Sequence, residues 1–173
     1  MLSAMRVAEF LIAISKIVNG EKMTNMRLNK LLYFCQALHL KRYNTPLFMD
    51  DFEAWDYGPV IPNIYREFKR YGGQEIEEGG NLEVGASDAE RQTIIDAMRK
   101  YNKYTTNTLV DMTHQPGLPW DLANRKKEKV ISKNDIKEYF NDEVATTEEI
   151  VDSLAIEGYR DENNHLVLKN REA

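Results

Sequence analysis

Thr24-Asn-Met-Arg-Leu-Asn-Lys-Leu-Leu-Tyr-Phe-Cys-Gln-Ala-Leu-His-Leu-Lys-Arg-Tyr43 is the stretch whose reading decides the fold. Leu28, Leu31, Leu32, Cys35, Leu38 and His39 recur at three- and four-residue steps, the period of an α-helix. Tyr33, Phe34, Ala37 and Leu40 add apolar surface to the remaining faces, with Asn29, Lys30, Gln36 and Lys41 as polar exceptions. A helix that is apolar most of the way round belongs at the centre of a domain, packed on several neighbours. It starts after Thr24 or Asn25 and ends near Tyr43.

The flanks supply the neighbours. Upstream, Val7, Phe10, Leu11, Ile14, Ile17 and Val18 lie on one face of a helix over 4–18, and Asn19-Gly20 provides the stop. Downstream, Asn44-Thr-Pro-Leu breaks the central helix, and Phe52-Glu-Ala-Trp55 reads as a short strand. Tyr57-Gly58-Pro59 turns the chain, and Pro62 suits the first position of a third helix. That helix carries Ile61, Ile64, Tyr65, Phe68 and Tyr71 inward and ends at Gly72-Gly73. Residues 74–86 read as a Gly- and Glu-rich loop, with 75–78 and 81–84 a candidate small hairpin.

Ser87-Asp-Ala-Glu90 is a capping box that starts a fourth helix, with Ile94, Ile95, Met98 and Tyr101 facing in. Thr105-Thr106 opens a fifth helix, which Pro116-Gly-Leu-Pro119 stops before Trp120. Residues 125–129 read as a basic loop. A helix over about 134–140 follows, then one from Thr147 to Gly158, then a polar tail. The expected architecture is mainly α: a single compact domain of about seven helices over 1–158, with at most a small β-hairpin, and a polar tail over 159–173.

At 173 residues, with 42% apolar residues, the chain can bury one core without a staple. Its single cysteine, Cys35, excludes an internal disulfide. The N-terminal apolar run has no basic residues before it and is interrupted by Arg6 and Glu9. This reading expects no signal peptide, no membrane span and a cytoplasmic protein. The net charge of −5 argues against nucleic acid as a direct partner. The charge is uneven, +2 over 1–76 and −7 over 77–173. The second half therefore offers either a solvated surface or an acidic face for a basic partner.

The search for chemistry finds no reaction to assign. His39, His114 and His165 form no metal-binding spacing. His39 reads as a satisfied core or boundary histidine. His114 follows Asp111 by three residues and reads as a pair with it or as a cap on the fifth helix. Asp50, Asp51, Glu53 and Asp56 could gather a cation, but a solvated acidic turn suits them better. Cys35, inside the most apolar helix, reads as a small hydrophobe. No cofactor, metal or catalytic residue is expected.

What stands out is the aromatic turn. Trp55, Tyr57, Tyr65 and Tyr71 surround Gly58-Pro59, and loops this aromatic either fold into a core or meet a partner. Leu28-Asn-Lys-Leu-Leu-Tyr33, Pro46-Leu-Phe48, Glu53-Ala-Trp-Asp-Tyr-Gly-Pro-Val-Ile-Pro62 and Tyr65-Arg-Glu-Phe-Lys69 resemble the signature of the Panacea domain, the SocA-like antitoxin family of phage-associated proteins. Within it Leu28, Lys30, Leu31, Leu32, Tyr33 and Trp55 carry the pattern, and Trp120 fits its C-terminal part. The resemblance covers most of 1–140.

It implies an antitoxin, encoded beside a toxin gene and often on a prophage, that neutralises a protein toxin by direct contact. It also implies an alternative, an adaptor that delivers the toxin to a AAA+ protease. A third reading, from the residues alone, is a cryptic hydrolytic site around Asp111 and His114. The residues expected to meet the partner are Tyr57, Gly58, Pro59, Tyr65, Arg66, Lys69 and Arg70, with the last three basic groups on the outer face of the third helix.

Overall fold

The computed structural model describes residues 1–140 and the backbone of 158–160 and 166–168. Contacts group the chain into Met1–Phe140 and Asn141–Ala173. In the first unit the order is α1 (Ala4–Ser15), α2 (Asn25–Tyr43), β1 (Glu53–Trp55), β2 (Gly58–Val60), α3 (Pro62–Phe68) with a 3₁₀ turn at Lys69–Tyr71, α4 (Asp88–Tyr101), α5 (Thr106–Thr113) and α6 (Pro119–Lys126). A further helix, α7, occupies 133–140. In the second unit β3 (Gly158–Arg160) pairs antiparallel with β4 (Leu166–Leu168). The mainly helical expectation holds. The helix expected from Thr147 lies outside the described residues.

α2 is the axis, as its composition requires. The Thr24 side chain caps its start by accepting from the Arg27 N–H, and Asn44 ends it in the left-handed conformation. Every residue from Arg27 to Leu40 is buried. α1 delivers Val7, Phe10 and Leu11 to the core, α4 delivers Ile94 and Met98, and α5 delivers Leu109. Phe34 stacks on Tyr101 of α4 at 4.0 Å. Tyr33 meets Phe52 edge-on at 5.4 Å and Phe140 at 6.1 Å. Gln36, fully buried, accepts from the Leu47 N–H at 2.7 Å and donates to the Phe48 carbonyl at 2.8 Å, which pins the chain after α2.

Four expectations are corrected. α1 ends at Ser15, with Lys16 as its cap, so neither Asn19 nor Gly20 supplies the stop and neither takes positive φ. The candidate hairpin at 75–84 does not form. Its backbone is claimed by α1 and by the link into α2 instead: Ile76 N–H donates to the Met23 carbonyl, Asn81 N–H donates to the Glu9 carbonyl, and Gly80 lies where a Cβ would sit 3.1 Å from the Ala13 backbone. The strand at 53–55 does form, and its partner is Gly58–Val60, so the turn is Asp56-Tyr57 rather than Tyr57-Gly58-Pro59. Pro119 is not only a stop. It occupies the first turn of α6, as Pro62 does in α3, and α6 runs into the supposed basic loop.

Candidate functional site

The first two turns of α2, the β1–β2 hairpin and α3 enclose a half-open cleft of about 840 Å³. That volume falls within the ~300–1,000 Å³ typical of ligand-binding sites. Thr24, Asn25, Met26, Asn29 and Lys30 form one side; Trp55, Asp56, Tyr57 and Val60 form the hairpin wall; Tyr65 and Lys69 come from α3 and its 3₁₀ turn. Met26 is 38% exposed and Tyr57 67% exposed, so apolar and aromatic surface faces outward here. Trp55 and Tyr65 are half-buried and meet edge-to-face at 4.9 Å.

The hairpin is fastened from below and behind. Lys30 has no solvent exposure, and its Nζ donates to the Pro59 carbonyl at 2.9 Å. Asn29 accepts from the Ile61 N–H at 2.9 Å and donates to Asn25, whose own amide donates to the Tyr65 carbonyl at 2.9 Å. Gly58 has φ +98°, and a Cβ there would lie 2.9 Å from Lys30 Cε and 2.7 Å from Thr113 Oγ1. A glycine is therefore required both for the backbone angle and for the passage of the lysine. From behind, the Trp120 indole N–H donates to the Trp55 carbonyl at 2.8 Å. On β1, the Trp55 indole donates to Glu53 and holds that carboxyl below its usual range.

Burial pushes the Lys30 ammonium down to about 7, with no carboxylate of the described residues paired to it. Arg27, also fully buried, donates to the carbonyls of Tyr104 at 2.9 Å and Asn102 at 3.0 Å, tying the α4–α5 link to the start of α2. Burial lowers its pKa too. Glu21 approaches Arg27 at 3.4 Å and accepts from Thr106, whose N–H and hydroxyl hold the carboxyl low.

Of the residues expected to meet a partner, Tyr57, Arg66, Lys69 and Arg70 are exposed and Tyr65 is half-buried. Gly58 and Pro59 are buried and shape the hairpin from inside. Among the signature residues, Leu28, Leu31, Leu32 and Tyr33 are core, Lys30 lies under the cleft, and Trp55 and Trp120 are half-buried at the hairpin.

The other candidates resolve into structural roles. His114 caps α5: its Nδ1 lies 2.7 Å from the Val110 carbonyl and its Nε2 3.0 Å from the Asp56 carbonyl, while its ring lies 3.9 Å from that of Trp120. It meets Asp111 through the backbone, not through the carboxylate. The four acidic residues near Trp55 diverge. Asp50 accepts from the Ala4 N–H, Asp51 pairs with Lys133, Glu53 pairs with Lys129, and Asp56 is exposed. His39 is buried against Thr93 Oγ1 at 3.1 Å, as expected of a satisfied core histidine. Cys35 is buried and its thiol is pushed well up by desolvation.

The sequence reading missed the cleft and the work of Arg27 and Lys30. The available signal is the presence of cations inside an otherwise apolar helix, of which Lys30 reads only as an exception to the pattern and Arg27 does not enter it.

The profile described as "Antitoxin SocA-like, Panacea domain" matches residues 28–121. The protein "Antitoxin SocA" of Caulobacter vibrioides (strain NA1000 / CB15N) is 31% identical over 111 residues, covering 58% of this chain and 59% of the relative. The chain thus spans about three fifths of that relative's length. No solved structure matches. Among the described residues no helix is long and apolar enough to cross a membrane.

Proposed function

The chain belongs to the SocA-like, Panacea-domain antitoxin family, and from that premise we propose that it is a cytoplasmic antitoxin that neutralises a protein toxin by docking on it as a folded protein. The observation that carries this reading is the half-open aromatic cleft, most of whose lining falls within the matched residues 28–121. Exposed large aromatics beside arginine are the groups that dominate protein–protein binding energy. Tyr57 at the hairpin tip, with Tyr65, Arg66, Lys69 and Arg70 on and beside α3, forms the contact surface. Gly58 and Pro59 act by holding that tip in place.

The role is binding rather than catalysis. Both ring nitrogens of His114 are directed at backbone carbonyls, and the ring works as a helix cap and a latch on the hairpin. The acidic chain, with a net charge of −5, is a poor match for nucleic acid.

The test is co-expression with the reading frame encoded beside this one. Restored growth together with co-purification of the two proteins supports the reading. Absence of protection by the soluble, folded chain overturns it. Protection that vanishes in cells lacking their AAA+ proteases assigns the adaptor role instead.

A further inference from the structure

We infer that the cleft between the start of α2, the hairpin and α3 seats an extended acidic segment of the protein partner, with its apolar side chains on Trp55, Tyr57 and Tyr65 and its carboxylates over a positive floor. This deepens the antitoxin reading and rests on it. The charge pattern argues for an acidic occupant. Lys30 lies directly beneath the cleft with one carbonyl as acceptor and no carboxylate paired to it among the described residues. Lys69 stands on the rim, and the first turn of α2, which opens into the cleft, contains no acidic residue. Of the lining groups only Asp56 is negative. With Asp56 offsetting Lys69, the buried and only partly protonated Lys30 sets the sign of the cleft, which on a chain of net charge −5 selects acidic ligands through local field rather than overall charge. Nucleic acid would need a track of phosphate contacts that two lysines do not provide.

The titratable and charged groups that share the cleft lining with Lys30 are Asp56 and Tyr57 on the hairpin and Tyr65 and Lys69 from α3 and its 3₁₀ turn, while His114 at the end of α5 lies with Lys30 against Gly58. A bound carboxylate favours the charged ammonium, so binding takes up a proton. Affinity is then highest below the lysine's lowered value of about 7 and falls as pH rises above it.

The test uses the full chain and three fluorescein-labelled peptides: alternating leucine and glutamate, its glutamine isostere, and its lysine counterpart. Anisotropy titrations should show the glutamate peptide binding about ten-fold more tightly than the glutamine one. They should also show that preference shrinking between about pH 6 and pH 8.5. Lys30→Met should abolish the preference. Tyr57→Ala, at an exposed position, should weaken binding of the glutamate peptide at an unchanged melting temperature, which keeps the proposal testable if Lys30→Met unfolds.

Equal binding of all three peptides, no binding of any, or a preference that survives Lys30→Met overturns the inference. So does a self-association measured by sedimentation that Tyr57→Ala abolishes, since the occupant is then a second copy. None of these outcomes touches growth protection in co-expression, so the antitoxin reading stands or falls separately.

Discussion

From Leu31 to Leu40, α2 is buried mainly by rings and aliphatic chains from α1, α4 and the chain after Tyr43, with Gln36 and its bonds to the Leu47–Phe48 backbone as a polar exception. From Asn25 to Lys30 it is buried almost as completely, but by polar groups that serve the backbone of other segments. One part of the helix gains its stability from apolar surface removed from water. The other gives up part of that gain, because a buried ammonium and guanidinium are costly to desolvate. In return it fixes the hairpin, α3 and the α4–α5 link to one another. Equal burial thus conceals two kinds of construction, a core and a frame for the cleft.

The largest expected effect lies in the core part. Phe34→Ala removes the ring stacked on Tyr101 and should cost about 3–5 kcal/mol in urea unfolding. A loss below about 1 kcal/mol would erase the distinction between the two parts. Arg27→Met comes next. It leaves the carbonyls of Asn102 and Tyr104 without their donor and should cost about 1–3 kcal/mol. Hydrogen exchange should rise in 102–106 more than in 31–40; uniform loosening would mean that Arg27 belongs to the core.

Lys30→Met should change the pH dependence more than the stability at neutral pH, since the methionine loses one hydrogen bond and avoids burying a charge. In the native chain the lysine is lowered from 10.5 to about 7. The unfolded chain therefore holds more protons across that window, and unfolding free energy rises with pH through it, by at most about 1.4 kcal/mol per pH unit. Unfolding curves across the window should show this rise in the native chain and lack it in Lys30→Met; identical slopes would place the ammonium in water.

The smallest effect on stability belongs to the surface. Arg66→Glu with Lys69→Glu should shift stability by no more than about 0.5 kcal/mol, yet reduce protection in co-expression. Full protection and undiminished pull-down would remove α3 from the contact surface and turn attention to the acidic residues after 76.

How far the sequence revealed this contrast depends on where each side chain finds its partner. The core part was legible because apolar periodicity is local: Leu31, Leu32, Cys35 and Leu38 announce their own burial. So were the caps at Thr24, Ser87 and Thr105, each bonding a backbone N–H three residues on. The frame was not legible. Whether Lys30 or Arg27 is exposed is decided by carbonyls 29 and 75–77 residues away, and no window on α2 contains them. α6 was missed because eight residues show too little periodicity, which left Pro119 readable only as a break. The aromatic turn was recognised, but its cleft was not, because a concavity needs α2 and α3 in place.

The bond from Trp120 to the Trp55 carbonyl closes the hairpin wall across 65 residues of chain. At a synthesis rate of about 5–20 residues per second, the latch is made several seconds after the wall it fastens. A newly made chain therefore passes through an interval in which its hairpin is held from below by Lys30 and Asn29 but not yet from behind. The arrival of α6 completes the cleft, so a chain cut short before Trp120 would carry most of the signature residues on a wall that lacks its rear latch.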